Sequence, residues 1–77
     1  MPKGELKITW YGNSGELHSV NLQEGDFIES RKGRTYYIET IGEHDISFRQ
    51  TNERGKLRTE GHSYVTAMFR HAVWKKV

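Results

Sequence analysis

Cysteine is absent from the chain. Neither a disulfide nor a thiolate metal site can therefore hold the fold together, and the composition points to a reducing, cytoplasmic setting. Long apolar runs are missing too. Nothing approaches the roughly 20 apolar residues that span a bilayer, and "MPKGELKITWYG" passes from a polar lead straight into a strand pattern, so neither a membrane partner nor a signal peptide is expected. Catalytic signatures are also lacking: there is no HExxH, no phosphate-loop GxxxxGK, no GxSxG elbow and no pair of metal-spaced histidines. The four histidines, His18, His44, His62 and His71, and the ten carboxylates are scattered without a familiar spacing. His44, between Glu43 and Asp45, comes nearest to a metal site, but this triplet at a turn reads as solvated charge. A metal-independent ribonuclease built from scattered His, Arg and Glu would leave no such signature, because geometry makes such sites. The expectation is a non-enzyme with no cofactor and no metal.

What is present fits one small domain. A chain of 77 residues buries only about 60% of its unfolded surface, so its core must be small. Aromatic residues make up 12% of the chain and apolar residues 34%, enough for a globular fold because each ring brings a large buried area. A formal net charge of +2 is too small to argue for nucleic acid by itself. The distribution of charge has to decide.

Turn signals at "GNSG" (12–15), "QEGD" (23–26), "RKGR" (31–34), "GEHD" (42–45) and "NERG" (52–55) separate short alternating segments, the pattern of an antiparallel meander. Leu6, Ile8 and Trp10 alternate with Lys7, Thr9 and Tyr11. Tyr36 and Ile38 alternate with Tyr37, Glu39 and Ile41, while Ile46 and Phe48 alternate with Ser47 and Arg49. Neighbouring side chains of a strand face opposite ways, so Tyr36 is expected inside and Tyr37 outside. A hairpin at 42–45 whose paired numbers sum to 88 sets Glu39 opposite Arg49, matching opposite charges. A two-residue turn at Lys32 and Gly33 sets Ile28 opposite Tyr37 on the outer face, with Ile41 further along it. Leu17 falls out of step with Val20 and Leu22, which suggests a bulge.

The segment "SYVTAMFRHAVWKKV" supplies a helix over about 63–75. Ser63 is its candidate cap, and Val65, Met68, Phe69, Ala72, Val73 and Lys76 lie on one broad stripe. A competing reading ends the helix near His71 and makes the alternating Val73, Lys75 and Val77 part of a closing strand. The fold class is thus mainly β (α+β): a small five- to six-stranded antiparallel barrel or curled sheet with a C-terminal helix, in a single domain over residues 1–77.

The segment "VNLQEGDFIESRKGRTYYIETIG" resembles the "GD, strand, glycine turn, strand" pattern of SH3-like barrels such as KOW and Tudor-type modules. The resemblance covers about a third of the chain and implies an SH3-like architecture; the helix lies outside its pattern.

In a meander alternate turns share an end, so "GNSG", "RKGR" and "NERGK" gather at one pole and "QEGD" and "GEHD" at the other. The first pole carries Arg31, Lys32, Arg34, Arg54 and Lys56 against Glu53. The second carries Glu24, Asp26, Glu43 and Asp45 with no Lys or Arg. Clustered cations beside glycine turns suit phosphate contact, and Tyr37 and Arg58 extend such a surface because aromatic and guanidinium planes stack on bases. The leading expectation is a binding module that contacts DNA or RNA through this pole, a bacterial or phage regulator in kind, on the sole ground of a short cysteine-free chain with its own Met1. The alternative is an inhibitor or adaptor that binds protein, an acidic surface being the suited partner, through the helix around Arg70, Trp74 and Lys75. There Trp74 lies off the apolar stripe as an exposed hot spot.

Overall fold

Glycine-bearing turns divide the chain much as their spacing predicts. In a computed structural model, which describes residues 4–51 and 56–77, the elements are β1 (Glu5–Tyr11), β2 (Leu17–Gln23), β3 (Phe27–Ser30), β4 (Thr35–Ile41), β5 (Asp45–Gln50), β6 (Arg58–Gly61), α1 (His62–Arg70) and β7 (Trp74–Lys76). The fold is mainly β and antiparallel with one C-terminal helix, as expected. Its division differs: β1 and β2 form a sheet of their own, and the other strands form a five-stranded sheet in the order β6-β5-β4-β3-β7. Ile8 and Leu22 from the first sheet, Ile28, Tyr36, Ile38, Ile41, Ile46, Phe48 and Trp74 from the second, and Val65 and Phe69 from α1 share one buried cluster.

Two local irregularities put Ile28 and Ile41 inside, contrary to the sequence register. The β3–β4 connection is a three-residue loop. Gly33 N–H donates to the Ser30 carbonyl at 2.9 Å and Ser30 N–H to the Arg34 carbonyl at 2.8 Å. Gly33 itself has φ 84°, the left-handed position that ends such loops and favours glycine. The extra loop residue pairs Ile28 with Tyr36 and Phe27 with Tyr37. Between β4 and β5 the register then slips after Ile38: Ile38 pairs with Phe48, but Ile41 with Ile46. This bulge around Glu39 reverses the side-chain parity of the strand, so Ile41 turns inward. Neither half of the ladder has the expected sum of 88; Glu39 and Arg49 still form an ion pair at 2.8 Å, diagonally.

The β1–β2 pairing is regular from Glu5↔Gln23 to Tyr11↔Leu17. Leu17 therefore needs no bulge: it is simply exposed, facing solvent beside Tyr11. Gly4, just before β1, allows a close backbone approach, since a Cβ there would collide with the Ile41 carbonyl oxygen.

The helix is shorter than the stripe suggested, and the closing-strand alternative holds for its tail. Gly61, not Ser63, occupies the N-cap, with no side-chain cap; instead His62 N–H donates to the His44 carbonyl at 3.2 Å. At the other end Ala72 N–H donates to the Phe69 carbonyl at 3.1 Å and Val73 N–H to the Met68 carbonyl at 2.8 Å, the paired bonds of a Schellman stop. Ala72 holds the left-handed position of that stop at φ 57°. The reversal delivers β7 antiparallel to β3, with Trp74 beside Ser30 and Lys75 beside Glu29.

Candidate functional site

The basic turn is built from the loop 31–33 and Arg34, and its three cations do different jobs. Arg31 is engaged: its guanidinium donates to the His71 carbonyl at 3.0 Å and to the Ala72 carbonyl at 3.5 Å, and its backbone N–H donates to the Val73 carbonyl at 2.8 Å. A cation on the last carbonyls of a helix is favourable both as a hydrogen-bond donor and against the helix dipole. Arg31 thus clamps the turn to the end of α1. Lys32 and Arg34 are exposed and belong to no ion pair among the described residues. With Ser30, Arg31, Tyr36 and Val73 they line an open groove of about 240 Å³.

Other elements converge on this end. Thr51 N–H donates to the Thr35 carbonyl at 2.9 Å, which sets the end of β5 beside the turn. Lys56 lies exposed just ahead of β6. Residues 52–55, including the expected contact Arg54, lie outside the described residues. The helix starts beside His44 and ends at Arg31, and the groove lined by Thr9, Trp10, Tyr11, Thr66 and Arg70 sets the end of β1 alongside the last turn of α1. The "GNSG" turn therefore sits at the basic end.

The opposite end gathers the acidic turns, as expected. Glu24 accepts from Ile41 N–H at 2.9 Å. Asp26 accepts from Gln23 N–H at 2.8 Å. This pole is not free of cations, however, since β7 carries Lys76 to within 3.3 Å of Asp26.

Tyr37 turns away from the basic turn, whereas Arg58, with 42% of its side chain exposed, is at the surface but engaged. Tyr37 is half-buried and packs on Phe27 with ring centroids 5.2 Å apart. Its hydroxyl lies toward Gly25, the acidic side. Arg58 stacks inward over Phe48, Tyr64 and Trp74, its guanidinium carbon 5.4, 5.6 and 5.9 Å from their ring centroids. It also donates to Glu60 at 2.7 Å and to the Tyr64 hydroxyl at 2.8 Å. Desolvation pulls its pKa down, but the hydrogen bond to Glu60 and the charges of Glu60 and Tyr64 outweigh it, and the net shift is upward. The cation is locked in place by its surroundings.

Trp74 cannot serve as the anchor of a protein-binding helix. It is 5% exposed, lies in β7, and meets Phe48 edge to face at 5.2 Å. Lys75 pairs with Glu29 at 3.3 Å, so of that expected surface only Arg70 is exposed without an ion pair among the described residues.

At the tip of the β1–β2 hairpin, the Glu16 carboxyl is held below its usual range, first by a backbone N–H and then by the His18 ring, which lies 3.2 Å away. Among the described residues no group of His, Asp and Glu could hold a metal ion, and none of their helices is long and apolar enough to cross a membrane.

The groove beside Trp10 and Tyr11 is the feature that sequence patterning misses. Alternation assigns Trp10 to one face and Tyr11 to the other, but no local signal places the end of α1 next to them. The chain matches no protein-family model, no curated protein and no solved structure.

Proposed function

We propose that this chain is a non-enzymatic module that contacts nucleic acid through its basic end, and that its five-stranded sheet is a small SH3-like barrel. The barrel is supported by Arg58, at the start of one edge strand, stacking on Trp74 in the other edge strand, which draws the two edges of the sheet together. One observation carries the functional reading. Lys32 and Arg34 project from a turn that Arg31 fixes, unpaired with any carboxylate among the described residues, beside a groove with Tyr36 in its lining. Cations carried on a turn whose backbone is already fixed suit phosphate oxygens, because only their side chains remain to be ordered on binding.

The test is a titration with short DNA and RNA across a salt series. Affinity is expected to fall steeply with salt, and Lys32→Ala and Arg34→Ala are each expected to reduce the log–log slope by about 1. Glu43→Gln, at the acidic end, is the control and leaves affinity nearly unchanged. Absence of binding at about 50 mM salt, or an equal loss on changing either end, overturns the reading.

A further inference from the structure

We infer that the groove between β1 and α1 is a stacking site for an unpaired base, which makes the ligand class of this module single-stranded nucleic acid; the inference rests on the reading of the basic end given above. The groove has a volume of about 260 Å³ and is lined by Thr9, Trp10, Tyr11, Thr66 and Arg70. That is below the roughly 300 to 1,000 Å³ typical of pockets for drug-sized ligands, so it suits one flat ring and not a whole cofactor.

Its chemistry is aromatic and cationic, with no carboxylate in the lining. Tyr11 is 73% exposed, and Leu17, its cross-strand partner, is 62% exposed, so an apolar ledge stands open at the groove's mouth. Trp10 stacks on His18, its cross-strand partner, the two rings parallel within 16° and 5.4 Å apart, and packs against the core. Arg70 is exposed and outside every ion pair among the described residues, leaving its guanidinium available to a base plane or a phosphate.

Location ties this groove to the cationic turn. Arg70 precedes His71, whose carbonyl holds the Arg31 guanidinium at 3.0 Å, so the groove and the turn adjoin at the end of α1. A backbone gripped at Lys32 and Arg34 could lay a neighbouring base against the exposed ring of Tyr11 at the edge of the groove, into which Trp10 is set from the opposite face of β1. Bases in a duplex are stacked on one another and cannot enter, whereas those of a single strand can. Stacking tolerates any base because every base offers a π-face, so little sequence preference is expected.

The experiment uses the whole chain and follows tryptophan emission while adding ten-nucleotide oligo(dT) and oligo(rU), and separately a duplex of the same length, at about 50 mM salt. Trp74 is buried, so quenching reports Trp10, and the Trp10→Phe variant checks this assignment by abolishing the signal. The single strands are expected to bind more tightly than the duplex and to quench. Tyr11→Ala should weaken single-strand binding by roughly tenfold while leaving the weaker duplex binding unchanged, and Arg70→Ala should weaken single-strand binding more than duplex binding. Lys32→Ala should weaken both. Equal affinity for single strand and duplex, with Tyr11→Ala silent, overturns the stacking site but leaves the basic end standing as a nucleic-acid contact. Binding by neither overturns both. If Tyr11→Ala instead dissolves a dimer seen by sedimentation and leaves oligonucleotide affinity intact, the ledge is a self-association surface and the inference is wrong.

Discussion

The turns at the two ends of β3 carry opposite charge, and they use that charge in opposite ways. At the acidic turn both carboxylates are engaged: Glu24 takes the Ile41 N–H, while Asp26 takes the Gln23 N–H and meets Lys76. At the basic turn Arg31 alone is engaged among the described residues, on the carbonyls that close α1, and Lys32 and Arg34 face solvent. The acidic end is therefore a structural joint. The basic end is a surface braced by one of its own cations. A charge dipole read as two equivalent poles misses this, because function needs charge that the fold has not already spent.

The brace runs through β7, and the largest expected effect comes from removing it. Trp74→Ala takes a ring from contact with Phe48, Tyr36 and Tyr64, at a cost of roughly 3 to 5 kcal/mol. In a domain this small such a loss approaches the whole stability. Denaturant unfolding should show it, and emission from Trp74 in a Trp10→Phe background should be blue-shifted and shielded from aqueous quenchers. A Trp74→Ala protein within about 1 kcal/mol of the parent would mean that β7 holds nothing in place.

A direct comparison of the two turns gives the next effects. Glu24→Ala strands the Ile41 N–H in a partly buried place, and loss of a partner there costs about 1 to 3 kcal/mol. Lys32→Ala and Arg34→Ala remove exposed side chains that form no ion pair among the described residues, and each should stay within about 0.5 kcal/mol of the parent. Arg31→Ala falls between, at about 1 kcal/mol, because its hydrogen bonds are exposed to competition from water. If Lys32→Ala proves as damaging as Glu24→Ala, the two turns are alike and the asymmetry drawn here is mistaken.

The parts of this layout legible in the sequence are those set by period and by sign. Alternation alone places Tyr36 inside and Tyr37 outside, and turn spacing alone puts "RKGR" and "QEGD" at opposite ends. Register was not legible. One loop residue at Gly33 and one bulge residue near Glu39 each reverse parity, and neither changes the local composition enough to be seen. The tail misleads for a related reason: Val65 and Phe69 have true helical spacing, and the stop after Arg70 uses Ala72 where a glycine would have announced it. Arg31 looks like Lys32 and Arg34 in sequence, since only tertiary structure brings the carbonyls of His71 and Ala72 to it. The Tyr11 groove likewise depends on where a helix ends.

That unannounced stop supplies a small effect of opposite sign and the finest test of the brace. Ala72 has φ 57°, a region where a Cβ crowds the backbone and glycine is preferred. Ala72→Gly relieves that crowding but also frees the unfolded chain, and the two partly cancel. The relief should win, for a net gain of about 0.5 to 1 kcal/mol, visible as a higher denaturant midpoint with unchanged slope. The Ala72 carbonyl stays where Arg31 reaches it, so the basic turn should keep its geometry and its oligonucleotide affinity. Should Ala72→Gly instead destabilise the protein, the left-handed stop is not how α1 hands the chain to β7, and the clamp by Arg31 on those carbonyls loses its footing.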